Sequence, residues 1–66
     1  MIHLTKNKST RRIEIVTDAE DDWFLYINWI EKKSGKCAES NMIIRKDLEN
    51  WLRYLGTMGW VKKSES

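Results

Sequence analysis

Residues 23 to 30, Trp-Phe-Leu-Tyr-Ile-Asn-Trp-Ile, form the segment that decides the predicted fold. Apart from Asn28 the segment is aromatic, β-branched or aliphatic, which is typical of a β-strand, and it is too short to span a membrane. Because successive side chains of a strand alternate between two faces, one face carries Trp23, Leu25, Ile27 and Trp29. The other face carries Phe24, Tyr26, Asn28 and Ile30. Both faces are largely apolar, so we expect one to close a core and the other to contact a partner.

Two neighbouring segments also have the pattern of strands. Residues 11–17 alternate between apolar and polar side chains, with Ile13 and Ile15 on one side, and predict a strand before the central one. Residues 37–44 predict a strand after it, although most of them have little β preference. Within that last strand we expect burial only of Met42, Ile43 and Ile44.

The connections between the strands are marked by charge. Residues 18–22 contain four carboxylates that repel one another, which favours a loop open to water. Residues 32–36 form a basic turn in which Gly35 is free to adopt a positive φ. Residues 1–10 are polar and basic after Leu4, and we expect a mobile arm there with at most a short edge strand at residues 2–4.

A helix is predicted after the third strand, because the spacing of apolar residues changes there. Asp47 and Glu49 would lie in its first turn, where carboxylates complement the helix dipole. Gly56 is expected to end the helix, so the helix covers residues 46–55. Residues 57–63 predict either a further turn or a short strand, and we expect a frayed tail at residues 64–66. The apolar stripe of the helix is formed by Leu48, Trp51, Leu52 and Leu55.

Together these elements predict an α+β fold in one small domain that spans residues 1–66. A three- to four-stranded antiparallel sheet would be followed by one C-terminal amphipathic helix, which covers one face of the sheet. The predicted core consists of apolar residues from the strands and the helix: Ile13, Ile15, Trp23, Leu25, Ile27, Trp29, Ile43, Leu48, Trp51, Leu52 and Leu55.

The composition predicts a small protein of a reducing compartment. A domain of 66 residues buries only about 60% of the surface of its unfolded chain, so its stability is marginal. The single cysteine, Cys37, cannot form an internal disulfide, and one Cys with one His is too few for a zinc site. No signal sequence or membrane span is apparent, so we expect a cytoplasmic protein. A homodimer is expected, because association would supply the stability that a small core lacks.

The sequence contains no specific catalytic pattern. The acidic residues of segment 18–22 lack the spacing of a calcium loop. Cys37 has only His3 as a candidate base, and His3 lies on the predicted arm. The three glycines are isolated and do not form a phosphate-binding loop. We therefore expect a protein that is not an enzyme and that uses no metal, cofactor or small-molecule substrate.

Aromatic and basic residues instead suggest binding to single-stranded nucleic acid, either DNA or RNA. Aromatic rings that stack on bases, next to cations that contact phosphates, are typical of such surfaces. Phe24 and Tyr26 would supply the rings. The net charge is only +2, because the acidic residues between 14 and 22 offset the basic clusters. The basic residues of the predicted site are Arg11, Arg12, Lys32, Lys33, Lys36, Arg45 and Lys46.

The same residues leave two other interpretations open. Phe24 and Tyr26 would also suit the seam of a homodimer, where both rings simply pack. The chain could equally be a protein-binding modulator, such as a phage- or plasmid-type inhibitor or adaptor of a host enzyme. Small size, four Trp residues and an acidic loop are compatible with that role.

Residues 11–55 resemble the single-stranded-DNA-binding fold of the transcriptional coactivator PC-four family, which is related to the plant Whirly proteins. The resemblance implies a dimeric DNA-binding protein that acts in transcription regulation. It places the basic turn, with Lys32, Lys33 and Lys36, against the nucleic acid and makes Trp51 a core or dimer residue. The matching segments are the apolar strand 23–29, the basic turn 32–36, Met42-Ile43-Ile44, and the helix 47–55 with Trp51 inside it.

The sequence also departs from that family. Ser40-Asn41 stands where the family prefers a Lys-Gly pair before its last strand. The family often has an Arg on its second strand, and Asn28 is the residue nearest to that position here. A full fourth strand at the start of the chain is not obvious. A winged-helix domain is a further alternative, because residues 48–63 resemble its last helix and wing strand. That fold requires two more helices upstream, and residues 1–44 do not have a helical pattern.

Overall fold

The computed structural model describes residues 1–17 and 22–65, apart from the side chains of residues 64 and 65. Within these residues the chain forms five strands and one α-helix. The helix α1 (Leu48–Thr57) follows directly on a 3₁₀ turn at Arg45–Asp47. The strands are β1 (Ile2–Thr5), β2 (Arg11–Val16), β3 (Phe24–Glu31), β4 (Cys37–Ile44) and β5 (Val61–Glu65).

The five strands form one antiparallel sheet in the order β4-β3-β2-β1-β5. The first four strands are a meander, in which each strand pairs with the next one along the chain. The helix then carries the chain back across the sheet, so that β5 pairs with β1 at the far edge. The sheet is thus one continuous layer, and α1 is the second layer of an α+β fold.

The core lies between α1 and one face of the sheet. Alternating residues of the four meander strands point to this face, which is the period of two expected for a half-buried strand. Leu55 is the fully buried residue of the helix, and Trp29, Leu48, Trp51, Leu52 and Trp60 pack around the same cluster. The buried strand residues of the core are Ile2, Leu4, Ile13, Ile15, Leu25, Ile27 and Ile43.

The α+β fold class is confirmed, but the sheet has five strands rather than three or four. The three strands predicted from sequence are β2, β3 and β4, and each is found within one residue of its predicted range. The winged-helix alternative is wrong, because residues 1–17 and 22–44 contain only strands, turns and bends. No helix in the described part of the chain is long and apolar enough to cross a membrane.

The N-terminal segment differs from the predicted arm with an edge strand. Strand β1 lies inside the sheet, between β2 and β5, and Ile2 and Leu4 are each only 4% exposed. A strand that is paired on both sides and buries two side chains is held by the whole sheet. Residues 64 and 65, predicted as part of a frayed tail, lie in β5, and residue 66 is outside the described residues.

Trp23 was expected in the core and is instead 67% exposed. The strand begins one residue later, at Phe24, so the ladder does not hold Trp23 on the inner face. Met42 and Ile44 were also expected to be buried, and both are exposed. They occupy the even positions of β4, which face away from α1, and only Ile43 reaches the core.

The helix ends later than predicted. It extends to Thr57, and the amides of Met58 and Trp60 both donate hydrogen bonds to the Leu55 carbonyl, each at 3.0 Å. Gly59, with φ +97°, adopts the positive φ that turns the chain toward β5. Gly56 lies inside the helix. The positive φ predicted for Gly35 in the β3–β4 turn is confirmed, with φ +72°.

Candidate functional site

The face of the sheet that points away from α1 is called the open face below. It is built from the even residues of β2, β3 and β4, because directly paired residues of antiparallel strands share a face. At the end near the β2–β3 connection, Tyr26 pairs with Val16 on one side and with Met42 on the other. Phe24 pairs with Ile44 in the next row. These five residues, Val16, Phe24, Tyr26, Met42 and Ile44, are called the apolar strip.

The apolar strip is accessible to a partner. Met42 is 57% exposed, Ile44 49% and Tyr26 39%, and Phe24 is half-buried among them. Large apolar side chains that lie together and remain exposed mark a contact surface more often than single exposed ones do. The expectation of an exposed aromatic face on β3 is therefore met at its N-terminal end.

A polar row crosses the middle of the open face. Asn28 lies between Glu14 on β2 and Ser40 on β4. Ser40 Oγ donates a hydrogen bond to Asn28 Oδ1 at 2.6 Å, and Arg12 Nη1 donates one to Glu14 Oε1 at 2.8 Å. These contacts fix the orientation of the Asn28 amide and of the Arg12 guanidinium. The row thus separates the apolar strip from the opposite, basic end of the face.

A groove of about 490 Å³ occupies the basic end of the open face and is called the basic groove. It collects side chains from β1, β2, the end of β3 and β5. Lys32 lies at the edge of the groove, where its Nζ donates a hydrogen bond to the Lys6 carbonyl at 3.0 Å. The open mouth and the cations favour an anionic ligand over an apolar one. The residues that line the groove are His3, Leu4, Thr5, Arg12, Lys32 and Lys63.

Ile30 lies on the open face next to this groove. It is only 6% exposed, yet it is not part of the core cluster under α1. The register places it between Arg12 on β2 and Cys37 on β4. Long side chains cover apolar neighbours with their methylene stems while the charged end stays in water. The basic end of the open face therefore combines a shielded apolar floor with a charged rim.

Four of the nine predicted site residues lie on the open face, in two groups at its opposite ends. Phe24 and Tyr26 belong to the apolar strip, and Arg12 and Lys32 belong to the basic groove. Lys33 and Lys36 extend from the exposed β3–β4 turn, outside the groove. Their side chains are accessible, but the structure does not bring them to the aromatic rings.

Three predicted basic residues lie elsewhere. Arg11 is at an odd position of β2, which does not face the open side of the sheet. Its Nε makes an ion pair with Glu31 Oε1 at 3.0 Å, and its Nη1 lies 4.0 Å from Glu39 Oε2. Arg45 and Lys46 are at the apolar end, where they line a recess of about 390 Å³ together with Asp22, Trp23 and Ile44.

Arg45 has a structural role at that end. Its Nε donates to the Asp22 carbonyl at 3.2 Å and its Nη1 to the Thr17 carbonyl at 3.4 Å. Its backbone amide also donates to the Trp23 carbonyl at 2.8 Å. Arg45 thus links Thr17, which follows β2, to Asp22 and Trp23, which precede β3. Residues 18–21, where the acidic loop was predicted, are outside the described residues.

Sequence reasoning missed four residues of the basic groove: His3, Leu4, Thr5 and Lys63. His3, Leu4 and Thr5 were assigned to an arm with at most a short edge strand, and Lys63 was seen only as part of a basic pair near the end. The signal that would have found them is the strand β1, which pairs with β5 and brings residue 3 opposite residue 64. In the part of the chain that the structure describes, no group of three or more His, Cys, Asp or Glu side chains could hold a metal ion.

Comparisons of this chain with protein-family models, with curated proteins and with solved structures find no significant match.

Proposed function

We propose that the chain is a cytoplasmic protein, without enzymatic activity, that binds single-stranded nucleic acid across the open face of its sheet. Bases would stack on Tyr26 and Phe24 of the apolar strip, and the phosphates would be held in the basic groove by Arg12, Lys32 and Lys63. The observation that carries the proposal is the presence of both surfaces on one face, with aromatic rings at one end and converging cations at the other.

Single strands fit this surface better than a duplex does. Stacking on a protein ring requires an unpaired base whose face is exposed, and each such contact contributes about 1–3 kcal/mol. The bases of a duplex already stack on one another, and an open sheet face offers no helix or ribbon that enters a groove. Neither part of the surface reads base edges, so the binding is expected to depend little on sequence.

The PC-four resemblance supports the same proposal. A role in transcription regulation is part of what we propose on this basis. The resemblance makes Trp51 a core or dimer residue, and Trp51 is one of the partly buried residues that pack against the core cluster.

The proposal is tested by fluorescence anisotropy with a labelled single-stranded oligonucleotide at low salt. Counterion release predicts a slope of log K against log salt concentration of about −0.7 per neutralised phosphate, so roughly −2 for three cations. Lys63→Ala should weaken binding and make the slope less negative by about 0.7. Arg53→Ala removes an exposed cation from α1, on the other side of the sheet, and should leave both unchanged. Absence of binding by the wild type at low salt would exclude the proposal.

A second candidate function is docking on another protein, such as a host enzyme that the chain inhibits. The observation that favours it is the recess next to the apolar strip, where Trp23 is 67% exposed beside Ile44. Trp is enriched among residues that dominate protein interfaces. In a capture experiment with nuclease-treated lysate, this candidate predicts one stoichiometric protein that is lost with Trp23→Ala. The nucleic-acid proposal predicts that nuclease treatment removes what is captured.

A further inference from the structure

The two edges of the sheet differ in how they are protected against pairing with another strand. Exposed edges normally carry charges, proline or bulges that prevent such pairing. Strand β5 carries Lys62, Lys63 and Glu65 within its five residues. Strand β4 has eight residues, seven of them exposed, and its only charge is Glu39. The pairing of β4 with β3 shifts register between Trp29 and Ile30, so the part of β4 from Glu39 to Ile44 pairs regularly.

We propose that β4 is a dimerisation edge, which pairs in antiparallel orientation with β4 of a second copy of this chain. This inference goes beyond the proposed function and does not require that nucleic acid binds. The resulting sheet would have ten strands, with both helices on one side and both open faces on the other. Such pairing through a two-fold axis is an isologous contact, because the same residues serve on both copies.

The charges of β4 and its ends select the register. Opposed residues of antiparallel strands share a face, so even residues must lie opposite even ones and odd opposite odd. One residue of β4 therefore lies opposite its own copy, and the two-fold axis passes between the two. An axis at Glu39 would set two carboxylates against each other. An axis at Asn41 would bring Lys36, just before β4, toward the second copy's Lys46, in the turn after β4. Like charges directly opposite are destabilising. An axis at Met42 avoids both pairings.

The register centred on Met42 is also favourable in its contacts. It brings Glu39 of each copy toward the second copy's Arg45, the residue that directly follows β4 and whose guanidinium also donates to the carbonyls of Thr17 and Asp22. Each carboxylate would then lie near a cation rather than near the other carboxylate. It sets Met42 against Met42 and Ile44 against Ser40 on the open face. The exposed Met42 side chains would then pack together at the seam, and the two apolar strips would form one continuous surface. An axis at Ser40 would instead set Ile44 against Lys36 and Met42 against Ala38.

The dimer is expected to be weak. Pairing one short strand segment along its edge buries far less than the roughly 1,200 Å² of total surface that stable interfaces usually bury. We therefore expect the molecular mass in solution to rise from monomer to dimer with increasing protein concentration. Sedimentation equilibrium without nucleic acid measures this, so failure of the dimer and failure of the proposed function are distinguishable.

Two matched variants locate the surface. Met42→Lys would set two cations against each other at the axis, and it should leave the chain monomeric at concentrations where the wild type dimerises. Met58→Lys makes the same change at an exposed methionine beside α1, and it should leave dimerisation unchanged. A wild type that stays monomeric at millimolar concentration would overturn the proposal. So would a dimer that Met58→Lys disrupts and Met42→Lys does not.

Cysteine cross-linking tests the register in a Cys37→Ser background. Opposed residues of antiparallel strands have Cα atoms about 4.5–5.5 Å apart, within the range of about 4.4–6.8 Å that a disulfide spans. Met42→Cys should therefore form a disulfide-linked dimer on oxidation. The two copies of Ile44→Cys would lie four residues apart along the strands, roughly 13 Å, and should not cross-link. Equal cross-linking of both variants, or none with Met42→Cys, would overturn the register.

Discussion

Trp29 and Trp60 lie edge to face, with their ring centroids 5.7 Å apart and an interplanar angle of 80°. The contact joins β3 to the residue that directly precedes β5. Both rings pack against the core cluster, so they close the end of the space between α1 and the sheet. Such an arrangement is favoured by the ring quadrupoles and contributes about 0.5–1.5 kcal/mol beyond the area that is buried.

Replacement of Trp60 should therefore destabilise the fold. We expect Trp60→Ala to lower the free energy of unfolding by about 2–3 kcal/mol. Truncation of a fully buried Trp to Ala costs about 3–5 kcal/mol, and the Trp60 ring is only partly buried. Urea unfolding followed by circular dichroism measures the change. Trp23→Ala is the matched control, because Trp23 is largely exposed and its loss should cost less than about 1 kcal/mol. Equal losses for the two variants would show that Trp60 has no special part in the core.

The two glycines near the end of α1 should respond in opposite directions to alanine. Gly56 is helical and has open space where a Cβ would lie, so Gly56→Ala should stabilise the chain by about 0.5–1 kcal/mol. Gly59 has φ +97°, and a Cβ there would lie 3.4 Å from Lys6 Cε. Gly59→Ala should destabilise the chain by about 1–2 kcal/mol. The midpoints of thermal unfolding decide this, and the same sign for both variants would contradict the helix end described above.

Loss of the Arg45 side chain should loosen the connection between β2 and β3. Arg45→Ala removes the hydrogen bonds to the carbonyls of Thr17 and Asp22, and we expect a loss of about 1–2 kcal/mol in unfolding free energy. Lys46→Ala, at the exposed neighbouring residue, should change stability by less than about 0.5 kcal/mol. Hydrogen exchange at Trp23 and Phe24 provides a local readout. If Arg45→Ala leaves both exchange and stability unchanged, Arg45 does not hold this connection.

The central strands could be predicted because their apolar residues alternate without interruption. Ile13 and Ile15, and then Leu25 and Ile27, identify both the strands and the face that α1 covers. Strand β1 has only Ile2 and Leu4 as a signal, within a basic segment, and its place between β2 and β5 depends on pairing with residues about sixty positions later. That pairing is not visible in a local pattern.

The candidate site was predictable to a similar extent. The exposed aromatic residues follow from the period of β3, since Tyr26 faces away from Leu25 and Ile27. The basic groove does not follow from any one segment, because Arg12, Lys32 and Lys63 meet only when β1, β2, β3 and β5 are placed side by side. Arg45 was predicted as a ligand contact from its charge alone, and its hydrogen bonds to backbone carbonyls depend on the tertiary structure.

The most direct test of the proposed binding face compares two tyrosines in anisotropy titrations with a single-stranded oligonucleotide at low salt. Tyr26 lies in the apolar strip and is 39% exposed, whereas Tyr54 lies on α1 and is 56% exposed. If bases stack on the open face, Tyr26→Ala should weaken binding roughly 5- to 100-fold, and Tyr54→Ala should leave it unchanged. Unchanged affinity in Tyr26→Ala, or an equal loss in both folded variants, would contradict binding at the open face.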